Sequence, residues 1–158
     1  MKLSQGVEWA LHCVSLLAQA SVTTPVRRDV LAAHYGLPET YLAKHLQALT
    51  RAGVLSALTG PKGGYQLGRP AAGITVLDIL EAVEGAAPPF LCQEIRRRGT
   101  GALAPHECPG PCGFASVMAD AHEAWRASLR SATVQDVVGR LPAEVRERNA
   151  RLLEEARS

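Results

Sequence analysis

Apolar residues recur along the first half of the chain at a helical period that later changes to a strand period. Val7, Leu11, Val14 and Ala18 fall three and four apart, which predicts an amphipathic helix over residues 4–20 with Ser4 at its N-cap. Thr24-Pro25 opens a second, short helix that runs through Val26, Val30 and Leu31 and stops near Gly36. Pro38 stands at the first helical position of a third, whose apolar face is Leu42, Leu46 and Leu49 and which Gly53 ends. Val54 to Leu58 and Tyr65 to Leu67 then predict two short strands, joined by the Gly-rich loop Thr59 to Gly64 as a hairpin.

Thr75 with Asp78 three residues on has the form of a capping box. It introduces a helix with Val76, Ile79, Leu80 and Val83 that ends at Gly85 and is expected to pack back on the first helix. Residues 86–112 are rich in Gly and Pro and predict a loop, with one helical turn around Gln93 to Arg98. Phe114, Val117, Ala121, Ala124, Trp125 and Leu129 mark a long helix, a further helix starts from Thr133, and the charged tail from Glu144 reads as helical with loose docking.

The fold class is therefore mainly α with a small β-hairpin: helix, turn, helix and hairpin in the order of a winged helix-turn-helix, followed by a long C-terminal helix. A chain of 158 residues with 47% hydrophobic content can bury one substantial core plus an appendage. The expected division is a DNA-binding domain over 1–85, a cysteine loop over 86–112, and a long helix with its tail over 113–158. The longest apolar stretch, Ala10 to Ala20, is broken by His12, Ser15 and Gln19, so neither a membrane span nor a signal segment is read, and a soluble cytoplasmic protein is expected.

A formal charge of +2 does not by itself indicate nucleic acid, but its distribution does. Between residues 25 and 70, Arg27, Arg28, Lys44, Arg51, Lys62 and Arg69 face only Asp29 and Glu39, leaving +4 on the segment that holds the helix-turn-helix. In such a motif the second helix of the pair enters the major groove of double-stranded DNA. Thr40, Tyr41, Lys44, His45 and Gln47 lie off the Leu42/Leu46/Leu49 face and are the candidate readers. Lys and Gln suit purine edges, Tyr and Thr suit phosphates or the thymine methyl. Arg28 and, at the wing tip, Lys62 are candidate phosphate or minor-groove contacts. No nucleophile–base pair or phosphate-binding loop is visible, and Gly60 to Gly64 lacks the P-loop ending, so the chain is not read as an enzyme.

Four cysteines in a chain read as cytosolic point to metal or redox chemistry rather than structural disulfides. Cys13 sits alone in an apolar helix and reads as a small core residue, whereas Cys92, Cys108 and Cys112 share one loop. Thiolates favour zinc or iron-sulfur clusters. The gap between Cys92 and Cys108 is long, and Cys108-Pro-Gly-Pro-Cys112 forms a rigid clip, so the last two sulfurs are the first candidates. Glu8 and His12 stand four apart on the first helix and project from one side of it. Arg96 to Arg98 read as an exposed basic turn.

The stretches Tyr41 to Leu49, Ala52-Gly53-Val54, Gly60-Pro61-Lys62-Gly63-Gly64-Tyr65-Gln66-Leu67 and Ile74 to Ile79, continued to Glu84-Gly85, resemble the Rrf2 superfamily of IscR- and NsrR-like iron-sulfur regulators. The resemblance runs from Leu3 to about residue 138. It implies a homodimer built on a crossed long-helix interface, palindromic operators, and a 2Fe-2S cluster held in the loop before that helix. One departure is Thr59, where many members carry Arg before the wing glycine, so minor-groove reading by the wing rests on Lys62. The resemblance also implies that the first helix of one subunit lies near the partner's cluster loop, with Glu8 where an acidic ligand occurs in NsrR-like members.

A 2Fe-2S cluster takes four protein ligands. The expected set is Cys108 and Cys112 of one subunit with Glu8 and His12 of the other, Cys92 being the alternative to Glu8 or His12. Such a mixed site carries less ligand charge than four thiolates and should be easier to reduce. The function expected is a redox- or stress-responsive repressor. A zinc-binding or clusterless thiol-sensing winged-helix regulator is the alternative.

Overall fold

The computed structural model describes residues 3–20 and 24–156. Met1, Lys2, Arg157 and Ser158, the outermost residues of the expected domains, lie outside them. Two compact units are resolved: Ala86–Ser128, and the residues up to Gly85 together with those from Leu129 onward. Among the described residues no helix is long and apolar enough to cross a membrane.

In the larger unit, α1 (Gln5–Gln19), α2 (Arg28–Tyr35) and α3 (Glu39–Arg51) precede strands β1 (Leu55–Leu58) and β2 (Gly64–Leu67), and α4 (Val76–Glu84) follows. The fold is mainly α with one two-stranded hairpin, as the alternation of periods predicts. The residues that set those periods make the core: Val7, Val14, Leu42, Leu46 and Leu49 are all buried, and α4 packs on α1. Each such aliphatic side chain withdrawn from water contributes roughly 1.5 to 3 kcal/mol before the entropy of ordering is subtracted.

Two boundaries differ from the sequence reading. Pro38 is the N-cap of α3 rather than its first helical residue. Val26 precedes α2 in extended conformation, because its N–H and C=O both pair with Tyr65, at 2.8 Å each, and so tie this segment to the wing. Gly64 permits that pairing: a Cβ there would lie 2.5 Å from the Val26 carbonyl oxygen. The turn between α2 and α3 rests on Gly36, whose left-handed backbone (φ 64°) lets Leu37 N–H reach back to Ala32 O at 2.8 Å.

The capping box predicted at Thr75 is present, with Asp78 N–H bonded to Thr75 Oγ1 and Thr75 N–H to Asp78 Oδ2. A second one, Thr133 with Asp136, opens α6 (Val134–Gly139). The two boxes are stitched together: Val76 N–H donates to Ala132 O and Val134 N–H to Ile74 O, at 2.9 and 2.8 Å. The tail forms α7 (Ala143–Glu155) and is docked rather than loose. Leu153 is buried, and Asn149 Nδ2 donates to Gln19 Oε1 of α1 at 3.0 Å.

The smaller unit contains two 3-10 turns, Ile95–Arg97 and Pro105–Glu107, and most of α5 (Gly113–Arg130). No residue of α5 is buried in the single chain, and Phe114, Val117 and Met118 are exposed.

Candidate DNA-reading face and thiol site

On α3, burial of Leu42, Leu46 and Leu49 turns the opposite face outward. Thr40, Tyr41, Lys44 and Gln47 are exposed there, Tyr41 by 68%. Lys62 is exposed on the wing loop. His45 points elsewhere: its ring sits against α1, where a Cβ on Gly6 would lie 2.2 Å from His45 Cε1, and it meets the Trp9 ring edge-on at 6.0 Å between centroids. Burial and the neighbouring Lys44 hold the His45 imidazole below its ordinary pKa, against the opposing pull of Glu84.

The basic residues between 25 and 70 divide into two groups. Arg27 pairs with Asp29, Arg28 with Glu39 at 2.6 Å, and Arg69 with Asp78 at 2.9 Å while also donating to Gly53 and Gly73 carbonyls. Lys44, Arg51 and Lys62 have no ion-pair partner among the described residues and supply the uncompensated positive charge of this face. Arg28 links the first turns of α2 and α3 through Glu39, a role that sequence spacing does not reveal.

Glu8 and His12 are both exposed on α1 and line one recess of about 220 Å³ with Trp9, Tyr35 and Leu37. The Tyr35 hydroxyl donates to His12 O at 3.1 Å, and the two rings lie 5.6 Å apart. Cys13, one residue on, is fully buried, and burial pushes its thiol up to about 12, so it is a core residue without thiolate chemistry.

The thiol loop is organised by two arginines. Arg96 is clamped by Glu94, at 2.5 and 2.9 Å, and donates to Gly110 O at 3.1 Å within the Cys108–Cys112 clip. Glu94 takes up a left-handed backbone (φ 50°) there. Arg97 Nε donates to Cys108 Sγ at 3.4 Å, and the buried Cys108 thiol donates to Ala104 O at 3.5 Å. Cys112 stands just before α5. The backbone N–H groups of Ala115 and Phe114 hold its thiol below the ordinary value, and the Cys92 thiol and the Arg96 guanidinium add to this. The basic turn is thus a cation scaffold for two sulfurs, and Cys92 reaches Cys112 despite their distance in sequence. The signal was the placement of arginines between the cysteines, which composition alone assigns to solvent.

Among the described residues no three His, Cys, Asp or Glu side chains converge as a metal-ion site in the single chain. The donor chemistry of the loop nevertheless fits an anionic iron-sulfur group. The Cys112 thiol pKa is lowered by helix-end N–H groups, and the Arg96 and Arg97 guanidinium groups stand beside the sulfurs.

Comparison with known proteins gives the context. The Rrf2 family, described as an iron-dependent transcriptional regulator, matches residues 3–140. A Bacillus subtilis (strain 168) protein named "Putative HTH-type transcriptional regulator YwgB" is 30% identical over 142 residues, 89% of this chain and 86% of its own. Among solved structures, T. potens IscR superposes with a TM-score of 0.65 at 25% identity, covering 88% of this chain and 87% of that one. CymR, the global cysteine regulator of B. subtilis, superposes at 0.69 over 90% of this chain and 99% of its own, and at 24% identity shows the shared fold. The family description and these names are those of transcription regulators. Winged helix, exposed basic α3 face and family match together make this chain a DNA-binding transcription regulator that belongs to the Rrf2 family.

Proposed function

We propose that the chain works as a homodimeric, redox-responsive repressor whose signal is read at a 2Fe-2S cluster held by Cys108 and Cys112 of one subunit and by Glu8 and His12 of its partner. The observation that carries the reading is the setting of Cys112, a thiol at a helix N-terminus beside Arg96 with the Cys108 thiol on Arg97. Glu8 and His12, exposed one turn apart in a single recess, are an imidazole and a carboxylate free to ligate across an interface. The exposed apolar positions Phe114, Val117 and Met118 of α5 suit burial against a second copy. The working division is a DNA-binding domain over 1–85, a cluster loop over 86–112 and a dimerisation helix with its tail from 113.

When bound, the cluster supplies a one-electron redox change. The chain's own part is mechanical. A change in how Glu8 and His12 are held shifts α1, and α1 bears on α3 through the Gly6–His45 seat, so the reading face moves relative to a palindromic operator. On that face Thr40, Tyr41, Lys44 and Gln47 are the readers, Lys62 extends the footprint from the wing, and His45 and Arg28 support α3 from behind.

The test is the absorbance spectrum of anaerobically purified protein with iron and acid-labile sulfide analysis, repeated for Glu8→Ala, His12→Ala, Cys108→Ser and Cys112→Ser. A red-brown protein whose spectrum changes in all four variants is the expected result. A spectrum indifferent to Glu8 and His12 removes the mixed ligand set. A second reading, a clusterless thiol regulator, draws support from the Cys92 thiol lying against Cys112. It requires a colourless, metal-free protein with thiol-dependent operator binding, while bound zinc without sulfide indicates a zinc site.

A further inference from the structure

A cavity of about 550 Å³ lies within the larger unit, walled by side chains of α1, α2, α4, α6 and α7. We propose that it is a binding site for a small, uncharged, largely apolar molecule that donates one hydrogen bond to Asn149 Oδ1. Its volume is in the range of sites that enclose small organic ligands, roughly 300 to 1,000 Å³. The walls are largely aliphatic, among them Leu11, Ile79, Val137 and Val145, with His12, Ser15 and His34 adding polar groups.

The lining excludes other occupants. No Asp, Glu, Lys or Arg faces the space, so an acid, an amine or a phosphate would lose its hydration with no countercharge to replace it. Burial and the nearby Arg148 hold the His34 imidazole of this wall below its ordinary pKa, and His12 borders the same space. A peptide segment would bring an N–H and a C=O with every residue, more polar groups than these walls can pair.

One polar feature is oriented. Gln19 Nε2 donates to Ser15 O at 2.9 Å, which fixes the Gln19 amide, and its Oε1 then accepts from Asn149 Nδ2 at 3.0 Å. Asn149 is left with a carbonyl oxygen to which nothing among the described residues donates. The Tyr35 hydroxyl is already committed to His12 O. The site therefore offers a largely apolar volume with the undonated Asn149 carbonyl oxygen among the polar groups at its edge, which selects an alcohol, a phenol or an N–H compound over a plain hydrocarbon.

The experiment is calorimetric titration of the full chain near neutral pH with 1-naphthol and with naphthalene. Saturable binding of one molecule per chain is expected, with 1-naphthol bound about tenfold tighter, the scale of one hydrogen bond. Val137→Trp and, separately, Val145→Trp fill the space from its rim and should abolish both titrations, with helical circular dichroism confirming that each variant folds. Asn149→Leu should erase the preference for 1-naphthol while retaining naphthalene. Absence of saturable heat in the unsubstituted protein, or binding indifferent to both Trp variants, overturns the assignment. Binding that appears only on dilution to monomer also overturns it, because the cavity is then filled by a second copy. The same titration on metal-free protein separates this outcome from the fate of the cluster reading.

Discussion

The His45 ring of α3 lies directly on the backbone of Gly6 in α1, in the space a Cβ would occupy at 2.2 Å from His45 Cε1. At this point α1 and α3 approach closely, with Trp9 bracing the ring from the side. Gly6→Ala should expel the ring and destabilise the fold by about 1 to 3 kcal/mol, the cost of overpacking. His45→Ala in the same chain should recover part of that loss. Urea denaturation of the two single variants and the double variant checks it, and strictly additive losses would show that the two residues do not share one space.

The same seat gives a pH dependence. The His45 and His34 imidazoles are held below their ordinary pKa, chiefly by burial, so the unfolded chain binds protons more readily than the folded one below about pH 6.5. Stability is therefore fully present above that pH and declines as pH falls toward the folded-state values. Lys44 works with burial at His45 and Glu84 against it, so Glu84→Gln should deepen the decline. Thermal melts between neutrality and about pH 5 read the slope, and a profile unchanged by His45→Gln would assign the effect to other groups.

Operator binding should separate Lys44 from Arg28. Lys44→Ala removes an exposed, unpaired cation of the proposed reading face and should cost about 1 to 3 kcal/mol if it contacts a base. Arg28→Ala removes an exposed ion pair with Glu39, worth about 0 to 1 kcal/mol in stability, and should change affinity little. Gel-shift titrations at fixed salt decide this, and equal losses would place Arg28 on the DNA.

The paired capping boxes predict a local stability effect. Thr133→Ala removes the acceptor for Asp136 N–H where the chain re-enters the larger unit, and should cost about 1 kcal/mol. Thr75→Ala should cost a similar amount. Because Val76 and Val134 N–H groups bond across to Ala132 and Ile74, hydrogen exchange should rise at both helix starts in either variant. Exchange confined to the substituted helix would show that the stitch between them carries no coupling.

The amino-acid sequence by itself determined the element order, the hairpin, the Thr75 capping box and the apolar faces of α1 and α3. Each depends on residues a few positions apart, through helical period, strand alternation or a local hydrogen bond. It also marked the Cys108–Cys112 clip and the exposed Glu8/His12 pair, because spacing alone places side chains on one side of a turn or helix.

Tertiary structure decided what depends on elements distant in the chain. It turned His45 away from the exposed face of α3 onto Gly6, drew Val26 out of α2 into pairing with Tyr65, and committed Arg28 and Arg69 to ion pairs. It brought Cys92 to Cys112, made Arg96 and Arg97 part of the sulfur scaffold, and docked α7 through Leu153 and Asn149 around a cavity that no single segment encodes. Periodicity tells a side chain whether to be buried. Which partner it meets is settled only when separate helices pack, since that choice depends on the shape and charge of surfaces that lie far apart in sequence.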